Sequence, residues 1–210
     1  KGDNLVPPDP DVQTFYGVVD KGKPINDRGG MTRQEILVEQ VAFDANLRVV
    51  SEHELAVSSD GWYLDLFFSE ERGGSGPIGE RVTQRATLRA GRIIFTTMIP
   101  SENACSFGGQ SFLMELDAFT GARIDRPVFD LDGDGLFDGG DRITVVIDGE
   151  ESRLPPSGLM PEGTGLLSRP TIISAGDREY KFMSGSTGAI ERVTERGGRG
   201  FGRQSWRELR

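Results

Sequence analysis

The sequence predicts an all-β fold, and three observations carry the prediction. Short segments alternate apolar and polar residues and end on turn signals. Glycine (29 residues) and proline (11 residues) are frequent enough to favour many turns over long helices. Two stretches, 81–121 and 169–193, read as copies of one hairpin unit. With 210 residues the chain can enclose one sizeable core or a large piece of one.

Taken in order, Thr14 to Val19 reads as a strand that runs into the turn Asp20-Lys-Gly-Lys. Gly61 to Phe68 is a second strand, preceded by the turn signal Ser59-Asp-Gly. Arg81 to Leu88, Ala90-Gly-Arg and Ile93 to Ile99 read as a hairpin. Ser111 to Leu116 is the next strand and ends in Asp117-Ala-Phe-Thr-Gly121. Ile143 to Ile147 is a β-branched run, read as extended. Arg169 to Ile173, Ala175-Gly-Asp and Tyr180 to Met183 give a further hairpin that ends in Ser184-Gly-Ser-Thr-Gly188.

Met31 to Asn46 stays open. Thr32 with Glu35 resembles a capping box, and Ile36, Leu37 and Val41 share one helical face. Val38 and Phe43 break that period, and a strand from Glu35 to Val41 fits equally.

In both copies of the repeat, an Asp or Ser, two residues and Thr-Gly follow a strand, which resembles the blade turn of quinoprotein-like β-propellers. Such hairpins bury little alone and need neighbouring blades. A closed propeller of seven blades would take roughly 300 residues at ~40–45 per blade. Residues 1–210 therefore read as the C-terminal part of a β-propeller domain, its last three or four blades with inserted loops; a β-sandwich is the competing architecture. The inserts are 68–80, the region around Cys105, 130–141, and 148–165, the last expected to be an irregular surface loop. The closing segment Gln204 to Leu209 is expected to dock as a terminal strand anchored by Trp206.

The most specific chemistry lies at 130–141, Asp-Leu-Asp-Gly-Asp-Gly-Leu-Phe-Asp-Gly-Gly-Asp. Asp130, Asp132, Asp134, Asp138 and Asp141 occupy positions 1, 3, 5, 9 and 12 of a twelve-residue calcium loop. Gly135 takes the sharp turn at position 6, and Leu136 at position 7 offers only its backbone carbonyl. Calcium wants six to eight oxygens, and five carboxylates this close would repel one another without a cation. The alternative is a solvated acidic turn. Position 12 is usually a bidentate Glu, so Asp141 departs from the template. Pro127 upstream and the β-branched run downstream place the loop between extended segments, an EF-hand-like loop without flanking helices.

Other chemistries find little footing. A formal net charge of −9 argues against nucleic acid as a partner. No apolar run approaches the ~20 residues needed to span a bilayer. Lys1 to Pro8 is polar and turn-like rather than a signal peptide, so the chain reads as starting inside a larger or processed precursor. Cys105 is the single cysteine, which excludes an intrachain disulfide; it is expected to be a buried thiol, with a partner on a missing part as the alternative. His53 is the single histidine, in a polar stretch, so Ser-His or Cys-His catalysis would have to run through it; it is expected to be exposed. No Gly-x-Ser-x-Gly occurs, and the Arg-Gly segment Glu195 to Arg203 is too short, in too acidic a chain, to read as RNA-binding.

Several segments in order resemble a known family: Gln13 to Asp20, Gly61 to Leu66, Glu80-Arg-Val82, Phe95 to Pro100, Cys105 to Gly109, Leu113 to Asp117 with Thr120-Gly121, and Gly202 to Arg207. Together they resemble the C-terminal β-propeller of PilY-type adhesins at the tip of bacterial type IV pili. The resemblance implies a non-enzymatic module that supports pilus assembly and extension, surface adhesion and twitching motility. It implies pilins at the pilus tip and host or abiotic surfaces as partners, with export through the periplasm to the cell surface. It also implies calcium bound by side chains at positions 1, 3, 5 and 9 and a carbonyl at position 7, here Asp130, Asp132, Asp134, Asp138 and Leu136; Asp141 comes from the twelve-residue template. Two other classes compete. A quinoprotein-type dehydrogenase would need a full propeller with calcium beside the quinone. A dockerin-like module normally carries two such loops, and one is found.

Overall fold

The computed structural model describes residues 10–101 and 108–197. Cys105, Trp206 with the closing segment, Lys1 to Pro8 and most of the Arg-Gly tail lie outside the described residues.

The expected β character holds throughout. Among the described residues the single helical element is a 3₁₀ turn at Glu70–Arg72. The first strands are β1 (Thr14–Val18), β2 (Thr32–Ala42), β3 (Ala45–Val50) and β4 (Gly61–Phe68). They form a four-stranded group in the order β1-β4-β2-β3, with β2 and β4 parallel. Next come β5 (Thr87–Arg89), β6 (Arg92–Thr96), the two-residue strands β7 (Ile99–Pro100) and β8 (Gly109–Gln110), and β9 (Leu113–Asp117). The hairpin β10 (Ile143–Ile147) and β11 (Glu150–Leu154) leads to β12 (Gly158–Pro161). A second four-stranded group runs β12-β9-β6-β5, and antiparallel pairing of β3 with β12 joins the groups into one eight-stranded sheet. The last strands, β13 (Thr171–Ala175), β14 (Arg178–Ser184) and β15 (Ile190–Arg196), form a separate antiparallel sheet.

Both repeat copies are therefore three-stranded antiparallel meanders, β5-β6-β9 and β13-β14-β15. The open segment 31–46 is a strand and the start of its hairpin partner. Its register with β3 slips between Ile36 and Val38, a β-bulge, so neither a period of 2 nor one of 3.6 fits it. The turn into β3 is Phe43-Asp44, both at positive φ (52° and 55°). That is the two-residue geometry matching strand twist, here built without glycine.

One expectation fails. Segment 148–165 is not an irregular surface loop: it holds β11 and also β12, which sits inside the large sheet between β3 and β9. Its prolines and glycines read as loop residues, yet Pro155, Pro156 and Gly158 are buried where the chain enters β12. A Cβ on Gly158 would lie 2.4 Å from Met114 Sδ, so a side chain there would have to displace the buried Met114 where β12 lies against β9. The first hairpin is also shorter than expected. Arg81 reaches Met98 only by an isolated bridge, and the strand proper begins at Thr87.

The large sheet is packed on both faces. One face carries Trp62, Leu64, Leu66, Phe95, Met114 and Leu116, with Phe15 stacked on Phe95 at 4.2 Å. Each fully buried aliphatic or Phe side chain contributes about 1.5–3 kcal/mol of transfer free energy. Against the other face, Leu47 and Val49 meet Ile143 and Val145 of the hairpin, while Ile94 and Leu113 meet Met183 and Val193 of the small sheet.

Beside that second contact lies a row of buried charges. Arg92 and Glu115 project from the large sheet; Glu179, Lys181 and Glu195 project from the small one. Arg92 pairs with Glu115 at 2.8 Å, Glu179 at 3.0 Å and Glu195 at 3.4 Å. Lys181 pairs with Glu115 and Glu195, and Arg89 reaches Glu179 from the rim at 2.6 Å. Burial pulls the Lys181 ammonium down from 10.5 to about 8, with Glu115 opposing that pull and Arg92 adding to it. Three cations and three carboxylates thus balance between the layers.

Candidate metal centre

The aspartate loop joins the small sheet to the hairpin. Phe129 bridges to Glu195 of β15, the Asp130 N–H donates to the Thr194 carbonyl at 3.1 Å, and Arg196 N–H donates to Val128 at 2.8 Å. Two residues past Asp141 the chain enters β10. Extended flanks on both sides, as the sequence predicts, leave no helix to open around the loop.

Within it the chain folds around its own carboxylates. Carboxylate oxygens of Asp130, Asp132 and Asp134 lie within 4.8 Å of one another. Asp130 Oδ1 accepts the Gly135 N–H at 3.3 Å, Asp132 Oδ1 accepts that of Asp134 at 3.2 Å, and Asp134 Oδ1 accepts that of Leu136 at 2.6 Å. Gly135 has φ +78°, the left-handed turn that position 6 demands. Leu136 turns its side chain outward, 57% exposed, in keeping with a position whose contribution is a carbonyl.

Asp138 and Asp141 close the far half. Asp138 Oδ1 accepts the Gly140 N–H at 2.7 Å. Asp141 is enclosed, with Oδ1 accepting Leu131 N–H at 2.6 Å and Oδ2 accepting Asp138 N–H at 3.1 Å. Burial raises its pKa above the usual carboxylate value, against the opposing pull of those N–H donors. The structure thus gathers Asp130, Asp132 and Asp134 into one three-carboxylate group, while Asp141 ties both halves of the loop together from inside.

The donor set fits a hard cation. It offers carboxylates and backbone carbonyls, without the imidazole or thiolate that would favour zinc or copper. His53 lies elsewhere, exposed, with Nδ1 2.7 Å from the Arg33 carbonyl.

Two residues at the loop were not legible in the sequence. Arg153 of β11 donates from Nη2 to the Gly139 carbonyl at 2.7 Å. Arg178, the first residue of β14, holds its guanidinium so close to Gly135 that a Cβ there would lie 2.6 Å from Nη2. Each comes from a different hairpin, and no local pattern marks either.

No protein-family model matches the chain. A type IV pilus biogenesis factor PilY1 homolog of Xylella fastidiosa is 31% identical over 202 residues, covering 95% of this chain and 15% of that protein. PilY1 of Pseudomonas aeruginosa strain UCBPP-PA14 is 24% identical over 222 residues, covering 93% of this chain and 17% of its own length. The chain thus spans about one sixth of these curated relatives. The crystal structure of the Pseudomonas aeruginosa PilY1 C-terminal domain superimposes with a TM-score of 0.67 at 22% identity, over 88% of this chain and 37% of that one. Sequence relatives along nearly the whole chain and a shared all-β, propeller-like fold place it in the family of PilY1 type IV pilus biogenesis factors, as part of their C-terminal domain.

Proposed function

We propose that this chain is a calcium-binding, non-enzymatic module of a type IV pilus tip protein, acting in pilus assembly and extension, surface adhesion and twitching motility. The supporting observation is the likeness over 95% of the chain to a type IV pilus biogenesis factor. The calcium part rests on the gathered carboxylates of Asp130, Asp132 and Asp134 in a loop with the spacing and turn of a calcium site. Asp138 and the Leu136 carbonyl complete the ligand set, and Asp141 holds the loop closed. When bound, the ion offsets two of the aspartate charges and stiffens the link between small sheet and hairpin. The partners in this reading are pilins at the tip and the surface that the pilus touches, and the site of action is the outer cell surface.

Titration calorimetry tests the metal. The chain is expected to take up one calcium, and Asp134→Ala is expected to lose most of the heat; equal binding by both would sink the site. Cells carrying the same substitution in the full-length protein are expected to show altered twitching and surface piliation. Unchanged motility would reduce the ion to a structural clip.

A further inference from the structure

The arginine beside Gly135 goes further than the ligand list. Arg178 is the first residue of β14 and is paired in register with Ala175 on one side and Arg196 on the other. The next strand is secured there too, by Gly197 N–H donating to the Asp177 carbonyl at 2.7 Å. The backbone carrying Arg178 is therefore fixed by the small sheet, independently of the aspartate loop. Its half-buried guanidinium lies against Gly135, between ligand positions 5 and 7. Among the described residues it makes no direct ion pair with a loop carboxylate, so it occupies no ligand oxygen. A calcium ion held by those carboxylates would therefore not have to displace the guanidinium.

We infer that Arg178 is the resident counter-charge of the aspartate loop. In the metal-free protein it offsets part of the repulsion among Asp130, Asp132 and Asp134, and in the loaded protein it opposes the divalent ion. It thereby sets calcium affinity below what the ligand set alone would give. This rests on the calcium reading above. Gly135 belongs to the same device: besides its left-handed φ, any side chain there would displace the guanidinium.

At the dielectric of water, a unit charge about 6–12 Å from a divalent ion shifts affinity by roughly three- to tenfold. Arg178→Gln is therefore expected to bind calcium roughly three- to tenfold tighter than wild type in low salt. Arg178→Lys, which keeps the charge, should stay within about twofold. The gap should close near 1 M salt, where the screening length is about 3 Å. In chelator at low salt, Arg178→Gln is expected to melt below wild type and to gain more from added calcium. Affinity that is unchanged or weaker in Arg178→Gln overturns the inference. If wild type takes up no calcium, the calcium reading fails by itself; the melting comparison in chelator then still decides the counter-charge role, and an unchanged melting temperature overturns it.

Discussion

Among the described residues, the carboxylates between the sheets and those in the loop are treated oppositely. Between the sheets, Glu115, Glu179 and Glu195 are buried and meet Arg89, Arg92 and Lys181, so the charges cancel within the fold. In the loop, five aspartates crowd into twelve residues, and the arginines brought there from other hairpins lie at its backbone: Arg178 beside Gly135, and Arg153 donating to the Gly139 carbonyl. The first group balances its charges as folded, with Glu195 Oε1 left without a hydrogen-bond partner; the second has the surplus that a cation would satisfy. Burial explains the difference. Unpaired charge between packed layers costs several kcal/mol, so it must be matched in the fold. At the surface, water tolerates the surplus, and it remains available for a ligand. The two groups also touch, because Glu195 of the buried row bridges to Phe129, one residue before the loop.

Removing one partner of the buried row is the harshest test. Lys181→Met removes one of the two cations that Glu115 and Glu195 share, leaving only Arg92 between them, and should cost about 3–5 kcal/mol in urea unfolding. Adding Glu195→Gln should return much of that loss, because Arg89 and Arg92 then face Glu115 and Glu179 in balance. If Lys181→Met alone is harmless, the buried row is not the balanced unit described.

Asp141 probes the middle ground, an enclosed carboxylate inside the otherwise solvated loop. Asp141→Asn keeps the shape but replaces one acceptor oxygen with a donor that faces a backbone N–H. The expected cost is about 1–3 kcal/mol in calcium-free buffer. No loss would mean that the loop is held by its exposed aspartates instead.

The mildest test is pH. Lys181 titrates near 8 when folded against 10.5 ordinarily, so between these values the unfolded chain holds a proton that the native state has released. Stability from this group therefore rises with pH across that window and is lowest below pH 8. Urea midpoints measured through the window should climb in wild type, and the Lys181 component should vanish in Lys181→Met. A fall in the wild-type component would mean that the glutamates dominate over burial.

The strands at 14–18, 61–68 and 143–147 were legible because turn residues and alternation are local. Segment 31–46 was not, because a bulge and a glycine-free Phe43-Asp44 turn remove both local signals. β12 was hidden by its own Gly158 and Pro161, and the role of the glycine shows only once Met114 is placed beside it. β14 inverts the ordinary pattern: Lys181 is buried while Tyr180 and Phe182 are only half-buried. Alternation alone would have put the aromatic residues inside.

By itself, the sequence determined the β class and the aspartate spacing, because periodicity, turn chemistry and ligand spacing act over a few neighbouring residues. It also carried the family likeness in its ordered segments. The tertiary structure alone decided which face of β14 is buried, that β3 and β12 join two four-stranded groups, and that Arg178 stands beside the loop. Each depends on partners far apart in the chain, such as Arg92 with Glu179 or Gly135 with Arg178. No local pattern encodes such encounters, since burial and pairing energies arise only when the layers close.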